Sequence, residues 1–384
     1  MRKICVVITA RASYSRIKTA LAAIKKHPDL HLQLIATGSA LLEKYGSVVD
    51  QIEIDGFEIT ARLFNVLEGN QPLISAKTSG LALVEMPTLF AHLKPDLVVT
   101  VADRYETIAT AVASAMMNIP LVHIQGGEIT GNIDDKIRHA VTQLADFHFV
   151  ASENAKARVL RMRDGGNNVY NTGCPSIDIA AEILKNPSLD FNPFVTYGGV
   201  GPVFDYKKGY LVVMQHSVTT EFNLAQNQIT CTCEAIAALG IPTFWFWPNS
   251  DSGTEGTAKG LRIFREQNPD YPVHFFKNME SGHFLKLLKN ALCLVGNSSV
   301  GIRECSFLGV PVVNIGSRQT GRERGNNVID VISESNAIVD AIKIQINRGS
   351  YKPDFLYGKG NSGHKIASLL AEIPITSDIA HFHE

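Results

Sequence analysis

The chain has 384 residues, of which 45% are hydrophobic and 19% are charged. This composition supports large buried cores and excludes a mainly disordered chain, and at roughly 150 residues per domain the length indicates two domains. The formal net charge is −1. Because there is no basic excess to neutralise a phosphate backbone, we expect no nucleic acid partner.

The amino terminus and the cysteines favour a cytoplasmic location. The apolar run after Met1-Arg2-Lys3 ends at Arg11 and is too short for a signal peptide, so we interpret it as a buried strand. No segment approaches the roughly 18 uninterrupted apolar residues of a transmembrane helix, which predicts no membrane contact. The cysteines lack the spacing of a metal site. We therefore expect reduced thiols and no metal or other cofactor.

Short apolar runs alternate with helical periodicity along the first half of the chain. The runs KICVVIT at Lys3–Thr9 and LHLQLIAT at Leu30–Thr37 predict the first two strands. Between them, apolar residues recur at the spacing of one helix face, at Ile17, Ala20, Leu21 and Ile24. Further strands are predicted at Leu97–Ala102, Leu121–Ile124, Phe147–Ala151 and Val169–Thr172. Such apolar strands separated by helices are typical of a parallel sheet covered on both faces.

Residues 186–209 interrupt this alternation, because the stretch is rich in Pro, Gly and aromatic residues and has neither period. We interpret it as a connector. Strands are then predicted at Tyr210–Met214, Thr243–Trp247, Val273–Phe276, Leu292–Val295 and Val312–Ile315, with helices at Phe284–Ala291 and Ala337–Asn347. The pattern predicts an α/β protein of two Rossmann-like, doubly wound domains with parallel sheets and a cleft between them. Their ranges are 1–185 and 210–360, followed at 361–384 by a helix that packs back on the first domain.

Ligands of such sheets bind beyond the carboxyl ends of the strands, where helix amino termini present N–H groups. The first strand continues into Arg11, Ser13 and Ser15, and the Leu97–Ala102 strand into Asp103-Arg104. No GxGxxG dinucleotide fingerprint is present. Two interpretations remain open: Ser13 and Asp103 cap the following helices, or the two arginines bind a phosphate.

Acidic residues concentrate after the Leu121–Ile124 strand. The segment from Gln125 to His139 contains three glycines and the carboxylates Glu128, Asp134 and Asp135. Glycines allow close approach of a ligand to the backbone, and carboxylates are suited to general acid and base catalysis. Alternatively, an aspartate only caps the helix that carries Ile137, His139 and Val141. The density of acids favours a functional site.

The second half contains a candidate nucleotide site. His216 follows the Tyr210–Met214 strand, and Ser298 and Ser299 follow the Leu292–Val295 strand at the start of a helix. Hydroxyls and N–H groups in this arrangement suit a pyrophosphate. Glu304 is placed to accept hydrogen bonds from ribose hydroxyls, and Arg318 belongs to a cation-rich segment suited to phosphate. These residues predict a nucleotide or a nucleotide sugar as the ligand.

The chain resembles the UDP-N-acetylglucosamine 2-epimerases, and within them the hydrolysing branch that serves sialic-acid-like sugar synthesis. The resemblance is carried by RASYS, ADRYET, GGEITGNIDDKIRHA, GCPSID, QHSVTTE, WPN, GNSSVGIRE and NIGSRQTGRERG, in this order over about residues 3–350. It implies a GT-B-like fold, a UDP-sugar substrate, a homodimer or homotetramer, and a reaction without a metal. UDP is eliminated across C1–C2 to give a 2-acetamidoglucal, and water then adds with inversion at C2.

The resemblance also implies roles for individual residues. Positions that contact UDP correspond to Arg11, Ser15, Arg104, His216, Asn249, Ser298, Ser299, Glu304 and Arg318. Acidic catalytic positions correspond to Asp103 and Asp134, with Glu128 a further acid and His216 a further catalytic candidate, and Asp178 corresponds to a sugar-site position.

Two departures fall on the sugar side. Gln125 stands where well-studied relatives carry a glutamate, and Ala40 stands where a histidine is common. Because an amide cannot take a proton, the base that removes the C2 proton must be Asp103, Glu128 or Asp134. The substrate is therefore UDP-GlcNAc or, alternatively, a UDP-2,4-diacetamido-2,4,6-trideoxyhexose of a legionaminic acid route. A non-hydrolysing epimerase, a GT-B glycosyltransferase and a silent nucleotide-sugar sensor remain the competing functions.

Overall fold

The structure is a computed structural model that describes residues 1–42, 48–69, 71–131, 133–163, 165–248 and 253–375. It divides into two units. Unit 1 comprises Met1–Ile129, Ile133–Asp178 and the chain from Tyr357 onward, and unit 2 comprises Ile179–Leu356 together with Thr130 and Gly131. No helix in the described ranges combines the length and the apolar character that crossing a membrane requires.

Strands and helices alternate through unit 1. In chain order the elements are β1 (Arg2–Ile8), α1 (Arg11–Lys26), β2 (Leu30–Thr37), α2 (Val48–Ile54), β3 (Ala61–Leu63), α3 (Pro72–Leu93), β4 (Leu97–Val101), α4 (Thr107–Met116), β5 (Leu121–Ile124), α5 (Ile133–Leu144), β6 (Phe147–Val150), α6 (Glu153–Met162), β7 (Val169–Asn171) and α7 (Ser176–Lys185). The seven strands form one parallel sheet in the order β3-β2-β1-β4-β5-β6-β7.

Unit 2 repeats the alternation after α7. Its elements are α8 (Pro193–Tyr197), β8 (Leu211–Met214), α9 (Ala225–Leu239), β9 (Thr243–Phe246), α10 (Thr254–Gln267), β10 (Val273–Phe276), α11 (Ser281–Lys289), β11 (Cys293–Gly296), α12 (Ser299–Ile302), α13 (Glu304–Leu308), β12 (Val312–Ile315), β13 (Val328–Val331) and α14 (Ser335–Arg348). The six strands form a parallel sheet in the order β10-β9-β8-β11-β12-β13.

Apolar side chains cover both faces of each sheet. The helical spacing predicted in α1 is confirmed, because Ile17, Ala20, Leu21 and Ile24 have no exposed surface and belong to one core of unit 1. In unit 2, Trp245 of β9 is likewise fully buried. Strands without a polar face need helices on both sides, and this explains the two doubly wound layers. The predicted fold class is confirmed.

The chain returns to unit 1 through the last helix, α15 (Ser362–Glu372). Its apolar residues Ile366 and Leu370 are fully buried in the same core as α1. Arg2 of β1 donates from Nη1 to the carbonyl oxygens of Leu370, at 2.8 Å, and Ile373, at 2.7 Å. Both sequence ends of unit 1 are thereby fastened together.

The segment 186–209 packs within unit 2. It contains α8 and a 3-10 turn at Tyr206–Lys208, and Val200 pairs with Phe275 of β10 in an isolated antiparallel bridge. The ring of Phe194 contacts the ring of Phe244, with centroids 5.4 Å apart. The stretch interpreted as a connector therefore covers the edge and one face of the second sheet.

Candidate active site

Each sheet reverses its strand order once, between β1 and β4 in unit 1 and between β8 and β11 in unit 2. Loops that leave a sheet on the two sides of such a reversal diverge and open a crevice at the carboxyl ends of the strands. The predicted residues Arg11, Asp103, His216 and Ser298 all follow one of these four strands. The topology therefore places them at two crevices, one in each unit.

The start of α1 differs from the capping interpretation. The N-cap residue is Ala10, which has an extended backbone and no side-chain capping bond, and Ser13 lies within the first turn. The Ser13 hydroxyl is 3.3 Å from that of Thr9. The prediction that Ser13 caps the helix is wrong. Arg11 and Ser15 are half-buried in the same turn, and burial lowers the pKa of Arg11.

Asp103 does not cap the next helix either, since α4 begins at Thr107 after the N-cap residue Glu106. Asp103 is buried and forms an ion pair through Oδ2 with Nη2 of Arg138. Its Oδ1 lies 3.8 Å from Nη1 of Arg16. The neighbouring Arg104 donates from Nε to Glu106 at 3.2 Å. Asp103 is thus a buried, charge-paired carboxylate at the crevice of unit 1.

Arg138 connects the acidic residues of unit 1 and was not singled out from the sequence. Its side chain is only 1% exposed, yet it forms ion pairs with Asp103 and Asp135 and donates to the backbone oxygen of Glu128 at 2.7 Å. Burial lowers the pKa of Arg138, but the carboxylates of Asp103, Glu128 and Asp135 outweigh burial and raise it overall. The guanidinium is therefore a permanent buried cation.

The other predicted acids lie after β5, in the loop and at the start of α5. Glu128 is buried in the loop after β5, and Asp134 is half-buried in the first turn of α5 beside Asp135. The buried face of α5 consists of Arg138, Val141 and Thr142. The helix predicted to carry Ile137, His139 and Val141 is thus present as α5, with Ile137 and His139 half-buried beside that face.

The backbone is strained at the two strand ends that frame this cluster. Ala102 after β4 has φ +63° and Gln125 after β5 has φ +64°, in the left-handed region that side chains with a Cβ rarely adopt. His123 holds the first of these turns, because its Nε2 donates to the Ala102 oxygen at 2.9 Å and its Nδ1 lies 3.2 Å from the Thr142 hydroxyl. Burial lowers the pKa of His123 to about 4. Strain of this kind is frequent at functional sites.

Gln125 is held in a polar contact next to this turn. Its Nε2 donates to the Cys174 sulfur at 2.8 Å, and that sulfur is 2.9 Å from the Ser176 hydroxyl. The side chain is 1% exposed, and Oε1 has no hydrogen-bond partner among the described residues. A buried amide oxygen without a partner is costly, and a ligand donor would satisfy it.

Asp178 is engaged in the fold. Its Oδ1 accepts from the Ser362 N–H at 2.8 Å and its Oδ2 from the Gly363 N–H at 2.7 Å, and Oδ2 also accepts from the Thr19 hydroxyl at 2.9 Å. Both oxygens thus bind the amino terminus of α15, and Oδ2 also binds α1. Burial raises the pKa of Asp178 although these bonds oppose it. This carboxylate therefore contributes to the docking of α15, and its place in the sugar site stays a prediction.

The crevice of unit 2 is built by two reciprocal hydrogen bonds. The His216 N–H donates to Oδ1 of Asn297 and Nδ2 of Asn297 donates to the His216 oxygen, both at 2.8 Å. Gly296 sits at the end of β11 with φ +134°, and a Cβ there would lie 2.2 Å from the Met214 oxygen. Only glycine permits the two strand ends to approach this closely. His216 is buried at this junction.

The residues predicted to bind the diphosphate, Ser298 and Ser299, come directly after Asn297 in the sequence. Ser298 is the N-cap residue of α12, with its Oγ 3.5 Å from the Val300 nitrogen, and Ser299 is the first residue of the helix. Both serines are half-buried. The half-buried Arg318 lies 3.4 Å from the Asn297 oxygen through Nη1. Hydroxyls and a guanidinium therefore meet beside Asn297, in an arrangement suited to a phosphate.

Glu304 begins α13 and is 9% exposed. Its Oε2 has no hydrogen-bond partner among the described residues. Since a buried carboxylate oxygen is an acceptor that needs donors, Glu304 is suited to a ligand with hydroxyl groups. Asn249 lies outside the described residues. Within the described ranges, no group of three or more His, Cys, Asp or Glu side chains is arranged to hold a metal ion.

Comparison with known proteins identifies the family. The sequence profile of the family "UDP-N-acetylglucosamine 2-epimerase" matches residues 22–371. The chain belongs to this family. It is 32% identical over 380 residues to the UDP-N,N'-diacetylbacillosamine 2-epimerase (hydrolyzing) of Legionella pneumophila, which covers 99% of this chain and 98% of the relative. The predicted family is therefore confirmed.

Two further similarities come from Neisseria meningitidis. The UDP-N-acetylglucosamine 2-epimerase of this organism is 31% identical over 362 residues, 94% of this chain and 92% of the relative. A crystal structure of UDP-GlcNAc 2-epimerase from the same organism, bound to UDP-GlcNAc, matches with a TM-score of 0.77 and 17% identity. It covers 97% of this chain and 100% of that chain, so the epimerase fold extends over the described molecule.

Proposed function

We propose that the protein is a hydrolysing 2-epimerase of a UDP-2-acetamido sugar, converting UDP-GlcNAc and water into ManNAc and UDP. The observation that carries this proposal is the pair of buried acidic residues Asp103 and Glu128, both in contact with Arg138 and located after the strained ends of β4 and β5, in a chain of this family. A 2-epimerase must move a proton at C2, and a cluster of carboxylates in one crevice provides the acid and base for it.

The reaction has two balanced steps. A carboxylate takes the C2 proton while the C1–O bond breaks, its electron pair leaves with UDP, and a C1–C2 double bond forms. Water then gives a hydroxyl group to C1 and a proton to C2 from the opposite face. The candidate acids and bases are Asp103, Glu128 and Asp134, and His216 is a further candidate for contact with the leaving diphosphate.

UDP is proposed to bind mainly at the crevice of unit 2. Ser298, Ser299 and Arg318 are suited to the diphosphate, and the unpartnered Oε2 of Glu304 is suited to the ribose hydroxyls. The remaining residues assigned to UDP from the family resemblance are Arg11, Ser15, Arg104, His216 and Asn249. Cationic and hydroxyl groups stabilise the charge that develops on departing UDP.

A UDP-2,4-diacetamido-2,4,6-trideoxyhexose is the second candidate substrate. It is favoured by Gln125, whose buried Oε1 lacks a partner and could accept from an acetamido N–H group, and by the name of the Legionella pneumophila relative. The amide cannot act as the base, so its proposed role is to hold the sugar.

One experiment tests both candidates. The protein is incubated separately with UDP-GlcNAc and with UDP-2,4-diacetamido-bacillosamine, UDP release is followed over time, and the sugar product is identified by NMR. A free 2-epimerised sugar supports the proposal. A UDP-linked epimer identifies a non-hydrolysing enzyme, transfer to an added acceptor identifies a glycosyltransferase, and binding without turnover identifies a sensor.

We also propose a cytoplasmic homo-oligomer, a dimer or a tetramer. All six cysteines lie in the described ranges and are thiols, as is usual in a reducing compartment. The apolar residues Leu73, Leu81 and Val84 are exposed along α3, and we propose that a second copy of the chain covers them. Light scattering on the wild type and on Val84→Asp measures the assembly; an unchanged mass would exclude this face.

A further inference from the structure

We propose that Arg138 is a positioning residue that fixes the orientation of the Asp103 carboxylate for catalysis. The inference rests on the proposed function, in which Asp103 is one of the acids beside the sugar. Arg138 itself does not need to touch the substrate. It acts through the carboxylate to which it is paired.

The first support is the way one guanidinium joins three segments. Nη2 binds Asp103 after β4, whereas Nη1 binds both the Glu128 oxygen after β5 and Asp135 in α5. A guanidinium is planar and its donors have fixed directions, so these contacts determine where the Asp103 oxygens lie. Lysine has a single ammonium group on a flexible stem and cannot reproduce the arrangement.

The second support is that the backbone of Asp103 is fixed independently. The preceding residue, Ala102, has φ +63°, and its oxygen accepts a hydrogen bond from the neutral His123. The Ala102 N–H donates to the Ile124 oxygen at 2.9 Å. A strained turn persists only when its surroundings hold it. With the backbone held by His123 and the side chain by Arg138, the carboxylate has little freedom to rotate.

The third support is the cost of the arrangement. A buried arginine loses its hydration, and paired carboxylates inside a protein do not by themselves make a fold more stable than apolar packing would. A cation at 1% exposure in the first turns of α5 is therefore poorly explained by stability alone. It is explained if the oriented carboxylate is used.

The charged groups around Asp103 predict the direction in which the pH profile moves when Arg138 is replaced. Facing or neighbouring groups are Arg16 on α1, His123 on β5, Glu128 on the loop after β5, and Asp135, Arg138 and His139 on α5. Removing Arg138 takes away a positive charge in contact with the carboxylate, which makes Asp103 easier to protonate. The acid limb of kcat/KM must then move to higher pH.

The test compares Arg138→Met, Arg138→Lys and the control Asp135→Asn with the wild type, using UDP release from the better of the two sugars. We expect Arg138→Met to lower kcat by at least about 10²-fold and to move the acid limb up by about one pH unit or more. Arg138→Lys retains the positive charge but loses the planar set of guanidinium donors. Its acid limb should therefore stay near that of the wild type while kcat falls.

Asp135→Asn is matched because it removes one charged bond to Arg138 and leaves the bonds to Asp103 and Glu128. We expect its kcat to stay within about 3-fold of the wild type. UDP affinity by calorimetry should change little in all variants. Thermal unfolding identifies a variant that does not fold. If one of the two Arg138 variants fails to fold, the kcat of the other tests the positioning role.

The outcomes separate the inference from the proposed function. A wild type without turnover on either sugar overturns both. A wild type that turns over, with Arg138 variants that keep near-wild-type kcat or that behave like Asp135→Asn, overturns the positioning role alone.

Discussion

His148 and His123 lie side by side on neighbouring strands of unit 1, and the same substitution should affect them in opposite ways. The two residues are paired in the register of β5 and β6, and both are buried. His123 uses both ring nitrogens in hydrogen bonds. Neither nitrogen of His148 has a hydrogen-bond partner among the described residues. Replacement by Phe keeps a ring at either position. At position 123 it removes two hydrogen-bonded nitrogens, and at position 148 it removes two nitrogens without a partner among the described residues.

The expected magnitudes at pH 7.5 follow from this difference. His148→Phe removes a desolvation cost of about 1–3 kcal/mol, part of which is lost again to the larger ring, so the free energy of unfolding should stay equal or rise by about 1 kcal/mol. His123→Phe leaves the Ala102 oxygen and the Thr142 hydroxyl without this partner. It should lower the free energy of unfolding by about 2–3 kcal/mol.

Acid pH enlarges the difference in stability between His148→Phe and the wild type. Burial lowers the pKa of His148 from 6.5 to about 3. Below pH 6.5 the unfolded chain therefore binds a proton that the folded chain does not, so the stability is present above pH 6.5 and is lost as pH falls toward 3. Between pH 7.5 and 4.5 this one group costs the wild type about 2.7 kcal/mol, which His148→Phe does not lose.

The assay is denaturant unfolding followed by circular dichroism at pH 7.5, 5.5 and 4.5. Hydrogen exchange of the β6 amides reports on unit 1 separately, because a chain of two units need not unfold in one step. A His148→Phe variant with the same pH dependence as the wild type would refute the reasoning. So would a loss of stability at pH 7.5 as large as that of His123→Phe.

Four further predictions concern the proposed reaction. The double substitution Ser298→Ala and Ser299→Ala should weaken UDP binding by about 1 kcal/mol or more per lost hydroxyl without unfolding the protein, and unchanged affinity by calorimetry would contradict the assignment of these serines to the diphosphate. Asp103→Asn and Asp134→Asn should each lower turnover by at least about 10²-fold with UDP affinity within a few-fold of the wild type; near-normal rates in both would point to another base. Gln125→Glu should be tolerated with the native sugar and should improve turnover of UDP-GlcNAc, as initial UDP release on both sugars will show. Activity should survive EDTA, because the sequence lacks metal-ligand spacing, and a complete loss that added metal reverses would contradict this.

The strands with continuous apolar runs could be predicted from the sequence, because they are buried on both faces. Leu30–Thr37, Leu121–Ile124, Val273–Phe276 and Val312–Ile315 have the predicted bounds. The edge strand β3 has three residues, and every residue of β13 remains at least partly exposed. β3 and β13 lie at sheet edges and lack a buried apolar run, so their sequences carry little signal, whereas the edge strand β10 is covered by residues 186–209 and keeps such a run.

The candidate site was predictable where a residue follows a strand and not where a charge is buried on a helix. Asp103, His216 and Ser298 could be placed after strands from the sequence, because strand ends are recognisable from the apolar runs before them. Arg138 was missed because a charged residue is assumed to be solvated. Its spacing of three and four from Val141 and Thr142 places it on their helix face, and this was the available signal.

The contact partners of single side chains could not be predicted. Asp178 is bonded to Ser362 at the amino terminus of α15. The two residues are 184 positions apart in the sequence, and no local pattern links them. The strained turn at Ala102 could not be predicted either, because the sequence does not show which alanine has a positive φ. Both features depend on tertiary contacts that short-range periodicity does not encode.

The docking of α15 has a consequence for how the protein is made. The core around Ile17, Leu21 and Ile24 also needs Ile366 and Leu370, which the ribosome adds after all of Ile179–Leu356. Chain growth at about 5–20 residues per second therefore leaves this face of α1 without its covering helix for several seconds or more. Unit 2 emerges whole during that interval and has every residue of its own sheet. We expect the nascent chain to complete its later half first and to present an apolar surface for chaperones until the last helix arrives.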